Sequence, residues 1–154
     1  VFLVQLAEHR TDMRCIAVNV RDHDDNVAGA QRRIRAEALE QLLRDGKLWL
    51  SRGASVAIFP EGTRSKDGAI HRFKTGAFTL AREAGVDILP VVMDGTRTMV
   101  QKNRLFNWHN TVTVRVLSPI SAEQIAHTEP KVLMDQVREQ MSEALAEVRC
   151  EVKK

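Results

Sequence analysis

The residues best typed and spaced for chemistry lie in Phe59-Pro60-Glu61-Gly62-Thr63-Arg64-Ser65 and in Lys74-Thr75-Gly76-Ala77-Phe78 downstream. The chemistry they suit is the binding of an anion. Gly62 lets main chain approach a ligand with no Cβ in the way. Arg64 offers a planar fork matched to two phosphate oxygens, and Lys74 adds a second cation just ahead of a helix start, whose free N–H groups also favour an anion. Between Glu61 and Arg82 five basic residues stand against two acidic ones, so this segment alone carries a surplus equal to the chain's formal net charge of +3. Spacing alone leaves a second reading open, in which the charges are merely solvated and Glu61 pairs with Arg64.

These side chains need a scaffold, and the flanking pattern supplies one. Ser55 to Phe59 is a short apolar run ended by Pro60, which reads as a buried strand. Thr75 is placed as the N-cap of a helix carrying Ala77, Phe78, Ala81 and Ala84, with Gly85 as its C-terminal glycine. A ligand loop between these two would sit at the carboxyl end of a strand, where open α/β sheets bind ligands.

Upstream, residues 15–20 read as a strand. Ala28 to Leu50 reads as an amphipathic helix with Leu39, Leu42, Leu43, Gly46, Trp49 and Leu50 inward and Gly46 marking a close approach. Downstream, Ile88 to Met93 is a second buried strand, and Thr111 to Leu117 alternates valines with Thr and Arg, which gives a strand with one wet face. Ser121 and Gln124 form a capping-box pattern. From about Pro130, Met134, Val137, Met141, Leu145 and Val148 recur at helical spacing. This order predicts an α/β layer fold with a largely parallel sheet flanked by helices, as a single domain over 1–154.

The stretch Phe59 to Ser65 resembles the phosphate-binding motif of the glycerolipid acyltransferases, in particular the 1-acylglycerol-3-phosphate acyltransferase type. The likeness continues through Phe73-Lys74-Thr75-Gly76-Ala77. It extends to Ile88-Leu89-Pro90-Val91-Val92, which is similar to the family's proline-centred last motif, and to Cys15 through Arg21, which resembles its second motif apart from Cys15 where glycine is common. The resemblance implies a glycerol-3-phosphate acyltransferase-like fold. It also implies transfer of an acyl group from acyl-CoA or acyl carrier protein to lysophosphatidic acid, with no cofactor and no metal. On it, Glu61, Gly62, Thr63 and Arg64 hold the glycerol phosphate, Arg21 adds a contact, and Pro90 shapes the donor side. Transfer to another lysolipid, and a non-catalytic module that binds anionic lipid, are the alternatives.

The family's first motif is His-(four residues)-Asp, in which the histidine takes the proton of the attacking hydroxyl. That role needs a base near neutral pKa. None of the five histidines fits: Arg14, Ala28, Gly76, Val114 and Val132 stand five positions after His9, His23, His71, His109 and His127. No catalytic residue is therefore assigned. With Val1 read as a cut edge, the chain is expected to be the carboxyl-terminal part of the domain and inactive alone.

Composition narrows the partners. A 154-residue chain that is 44% hydrophobic and 28% charged reads as globular, which excludes a disordered tail, collagen or a disulfide scaffold. With only 5% aromatics there are few platforms for stacking bases, so a small anion or a membrane surface fits the mild positive charge better than nucleic acid. Asp22 to Asn26 starts like a calcium loop but has Val27 and Arg33 where glycine and glutamate are required. Cys15 and Cys150 read as buried small hydrophobes. The apolar stretches are all far short of the ~18 residues a membrane span needs, so residence at the cytoplasmic face of a membrane is implied by the family alone, peripheral or through a missing N-terminal segment.

Overall fold

The computed structural model describes residues 2–6, 15–18, 28–62, 65, 67–96 and 111–152. In chain order they form β1 (Phe2–Leu6), β2 (Cys15–Val18), α1 (Ala28–Ser51), β3 (Ser55–Ile58), α2 (Gly76–Ala84), β4 (Asp87–Asp94), β5 (Thr113–Val116), α3 (Ala122–His127) and α4 (Pro130–Val152). The strands make one sheet in the order β2-β3-β1-β4-β5. The α/β class holds.

The expectation of a largely parallel sheet is corrected. Of the four pairings among the described strands, β2 with β3 is parallel, while β1 with β3, β1 with β4 and β4 with β5 are antiparallel. The cause is β1. Strands β3 and β4 do share a direction, as a strand-helix-strand crossover through α2 requires. They leave a strand's width between them, and the apolar opening stretch fills it, running against both.

Pairing through β1 brings Val56 level with Ile88, and Ile58 level with Pro90. Val56, Ile58, Ile88 and Val92 therefore share a face. They pack with Leu42 and Leu50 of α1, Phe78 and Leu80 of α2, Ile125 of α3, and Met134, Val137 and Met141 of α4 in one core. The two leading helices meet through glycines. A Cβ on Gly46 of α1 would press on Leu80 of α2, and one on Gly76 of α2 would lie 3.0 Å from Leu42 of α1, so the close approach read from Gly46 is matched from the opposite side. Pro90 is tolerated inside β4 because its missing donor points past the end of edge strand β5, where its carbonyl still accepts from Leu117 N–H at 2.9 Å.

Helix ends and faces depart from expectation in four places. Thr75 is the N-cap of α2, but it has helical backbone angles and no side-chain capping bond, whereas Gly85 closes the helix with φ 65°. Ser121 Oγ does accept from Gln124 N–H at 3.2 Å. On β5 the exposed face is the valine face: Val114 and Val116 are 52% and 57% exposed, because Arg115 turns instead to Glu147 and Glu151 of α4. Trp49 is exposed at the end of α1 with Arg52 over its ring. Cys150 is exposed rather than buried, since Val148 and Leu145 occupy the inner stripe of α4; the side chain of Cys15 lies outside the described residues.

Candidate phosphate-binding site

Strand β3 delivers the chain at Ile58 to a loop that returns at Gly76, the start of α2. Three main-chain and side-chain bonds close it. Gly62 N–H donates to the Phe59 carbonyl at 3.1 Å, Lys74 N–H donates to the Pro60 carbonyl at 2.8 Å, and the Glu61 carboxylate accepts from His71 N–H at 3.1 Å. Gly62 is buried with φ 74°, in the left-handed region that glycine alone enters freely. Phe73, buried and 6.4 Å from Phe78 between ring centres, anchors the returning limb to α2.

The middle of the loop is organised around Asp67. Its carboxylate accepts from Ser65 Oγ at 2.9 Å and Ala69 N–H at 3.0 Å, and lies 2.9 Å from His71 Nε2. Led by the Ala69 N–H bond and then the Ser65 hydroxyl, these partners favour the ionised form and hold Asp67 down at about 2. Ser65 Oγ also accepts from Gly68 N–H at 2.8 Å, which completes the turn expected at Asp67-Gly68.

A residue that sequence spacing could not reveal fastens this loop to the sheet. Arg149 of α4 donates through Nη2 to the Gly68 carbonyl at 2.7 Å and to Asp94 at 3.0 Å, and through Nε to Asp94 at 3.2 Å. Asp94 ends β4, so one guanidinium bridges the loop, a strand end and the last helix. No local pattern signals it, because Gly68 and Arg149 are 81 residues apart.

Of the residues expected to hold phosphate, Glu61, Gly62 and Lys74 are thus gathered in one closed loop at the carboxyl end of β3. Thr63, Arg64 and Arg21 lie outside the described residues. Val18, the last residue of β2, is level with Ile58 of β3. Among the described residues no group of His, Cys, Asp and Glu could hold a metal ion, and no helix is long and apolar enough to cross a membrane.

Residues 6–94 match the sequence pattern of the Acyltransferase family, which is more than half of the chain. The chain belongs to that family. It is 34% identical over 118 residues to 1-acyl-sn-glycerol-3-phosphate acyltransferase alpha of Mus musculus, covering 76% of this chain and 41% of the mouse protein. It is 40% identical over 101 residues to the 1-acyl-sn-glycerol-3-phosphate acyltransferase of Escherichia coli, covering 66% and 40% respectively. The solved structure of the 1-acyl-sn-glycerophosphate (LPA) acyltransferase PlsC from Thermotoga maritima superposes with a TM-score of 0.57 at 25% identity, over 88% of this chain and 56% of that one. This acyltransferase chain therefore spans about two-fifths of the length of those two curated relatives. The loop just described lies wholly inside the matched region.

Proposed function

We propose that this chain serves transfer of a fatty acyl group from a thioester, on coenzyme A or acyl carrier protein, to the free hydroxyl of 1-acylglycerol-3-phosphate, giving phosphatidic acid. The loop from Phe59 to Thr75 is the observation that carries the reading. Its bonds hold the Gly62 main chain and Lys74 at the carboxyl end of β3, within a segment whose sequence has more cations than carboxylates, and both acidic side chains of the segment accept from the loop's own N–H groups. In this reading Gly62, Thr63, Arg64, Lys74 and Arg21 hold the phosphate, while Glu61 acts on it through the loop that it closes.

In the reaction the hydroxyl oxygen attacks the thioester carbonyl carbon, the new C–O bond forms as the C–S bond breaks, and the hydroxyl proton passes through a base to the departing sulfur. Holding the phosphate fixes where the hydroxyl lies, which converts an encounter into a positioned attack. The sequence carries no His-(four residues)-Asp pair to act as that base. The 154-residue chain is accordingly a phosphate-binding part that does not turn over by itself. A lipid substrate places the work at a membrane surface, and the family likeness favours its cytoplasmic face.

The absence of that pair also favours a second reading, a non-catalytic module that binds anionic lipid through the same loop. Titration of glycerol 3-phosphate and measurement of thioester consumption with lysophosphatidate test both. A bidentate charge-assisted contact is worth roughly 1.5–3 kcal/mol, so Arg64→Ala should weaken glycerol 3-phosphate by about tenfold or more, with Arg64→Lys recovering part of the loss. Equal binding by wild type and both variants would refute the assignment. Turnover by the chain alone would refute the reading of it as a binding part.

A further inference from the structure

An open groove of about 460 Å³ lies between residues 70–72 on the returning limb of this loop and residues 131–138 at the start of α4. Its floor is apolar, made by Ile70 and the buried thioether of Met134. Around it stand Arg72, Lys131 and Arg138, with one carboxylate, Asp135, among them. Lys131, Met134, Asp135 and Arg138 recur at three- and four-residue steps, so a single face of α4 presents them all. No ion pair joins Asp135 to any of these three cations, and none of the three pairs with any other described residue, although Lys131 and Asp135 are four residues apart on one helix.

This mixture is specific in its chemistry. A site for a bare phosphate or a flat anionic surface has no use for an apolar floor, and a carboxylate in its midst works against it. A nucleotide uses every part. Its phosphates meet the cations, its planar base lies on the thioether and aliphatic floor with guanidinium groups able to stack on it, and a base amino group donates to Asp135. The volume falls within the roughly 300–1,000 Å³ of small-molecule sites.

We infer that this groove between residues 70–72 and the start of α4 takes the adenine nucleotide end of a coenzyme A thioester, so that the donor is held by its handle beside the loop that holds the acceptor. The identity of the donor rests on the acyl-transfer reading; the preference for an aminopurine nucleotide rests on the groove alone. The groove and the loop share a wall, since His71 lines the groove while its N–H donates to Glu61.

The test is calorimetric titration of the full chain with adenosine 3′,5′-bisphosphate, with pyrophosphate and glycerol 3-phosphate as separate arms and phosphatidylglycerol vesicles as competitor. Binding of the bisphosphate is expected to weaken with salt. Lys131→Gln and Arg138→Gln are each expected to weaken it roughly two- to fivefold, the scale of losing one partly solvated charge contact, and to leave glycerol 3-phosphate unchanged. Asp135→Ala discriminates by sign. Removing a negative charge strengthens pyrophosphate, but losing the acceptor lowers the preference for the nucleotide over pyrophosphate by about threefold or more. All three substitutions are on the solvent side of a helix, and a thermal melt checks that the fold is kept.

No bisphosphate binding at millimolar concentration overturns the inference. So does a wild type that binds pyrophosphate as well as the nucleotide, or a preference unmoved by Asp135→Ala. Vesicles that displace the bisphosphate would reassign the groove to a membrane surface. Loss of glycerol 3-phosphate binding alone, with the bisphosphate arm intact, would overturn the acyl-transfer reading and leave the nucleotide groove standing.

Discussion

Replacing Arg149 by Ala should loosen the loop from Phe59 to Thr75 more than it destabilises the protein. The guanidinium makes two charge-assisted bonds to Asp94 and one to the Gly68 carbonyl. Its pair with Asp94 is partly exposed, 40% on one side and 29% on the other, so it lies between a solvated surface pair and a buried one. Taking about 1–1.5 kcal/mol for the pair and about 0.5–1 kcal/mol for the carbonyl bond gives a loss of about 2 kcal/mol. In a chain of this size that is a fall in Tm of roughly 4–8 °C. The local effect is larger, because Arg149 is the tie from Gly68 to the sheet. The N–H groups of Gly68 and Ala69, which donate to Ser65 and Asp67, should exchange with solvent faster by more than those of β3 and β4. Glycerol 3-phosphate affinity should fall with them. Arg149→Lys should recover much of the Tm, since an ammonium can still pair with Asp94, but less of the loop protection, since it cannot reach two acceptors in a fixed fork. Hydrogen exchange read by mass spectrometry, a melt and the titration cover all three statements. A variant whose loop amides exchange no faster than the wild type's, at whatever Tm, would refute the idea that this residue holds the loop.

Three further outcomes follow from single positions. Gly62→Val should cost roughly 1–3 kcal/mol, because a β-branched residue at φ 74° is strained, and should abolish glycerol 3-phosphate binding; a variant that binds normally would show that the main chain there does not approach the ligand. Gly46→Ala presses a methyl against fully buried Leu80, a cost of about 1–3 kcal/mol offset by about 1 kcal/mol of helix propensity, so a net lower Tm with glycerol 3-phosphate binding kept is expected, and a raised Tm would mean that Leu80 gives way without cost. Asp67 is held at about 2 against an ordinary 3.8, so its folded form binds its proton less readily than its unfolded form does. Its contribution is therefore present above about pH 4 and is lost as pH falls toward 2; an NMR titration of its carboxyl that gives an ordinary midpoint would remove the loop bonds assigned to it.

Of the strands expected from sequence, all found in the sheet, β3 and β4 are continuous apolar runs closed by a proline or a change of polarity, and the helices that read correctly repeat apolar residues around a buried stripe. Local patterns suffice for such elements because the pattern and the burial have the same cause. Strand β1 failed the same test: five residues with one polar interruption carry no direction, and only the gap between β3 and β4 decides that it runs against both. Strand β5 shows how a local pattern can mislead. Its valines face out because Arg115 gains two carboxylates on α4, an interaction set by residues more than thirty positions away. The loop was legible by composition and motif, whereas its clamp was not. Gly62 declared itself as a glycine in a charged loop after a buried strand, but Arg149 lies in a helix whose other arginine, Arg138, looks the same in sequence.

The loop carries four cations and two carboxylates in its sequence, and the partners of the carboxylates say how it is built. Glu61 is turned to His71 N–H, and Asp67 is turned to Ala69 N–H, the Ser65 hydroxyl and the His71 ring. The carboxylates thus satisfy donors that a tight loop would leave orphaned, which is work that needs an acceptor rather than a counter-ion. Arg149 contributes from outside, and it too reaches the loop through a carbonyl, with its charge balanced by Asp94 on the sheet. The bonds that fix the described part of the loop thus run from N–H and O–H donors to its own carboxylates and carbonyls, and the same geometry sets Gly62 and Lys74 at the carboxyl end of β3, where a bound anion would meet main chain before it met either carboxylate's partner.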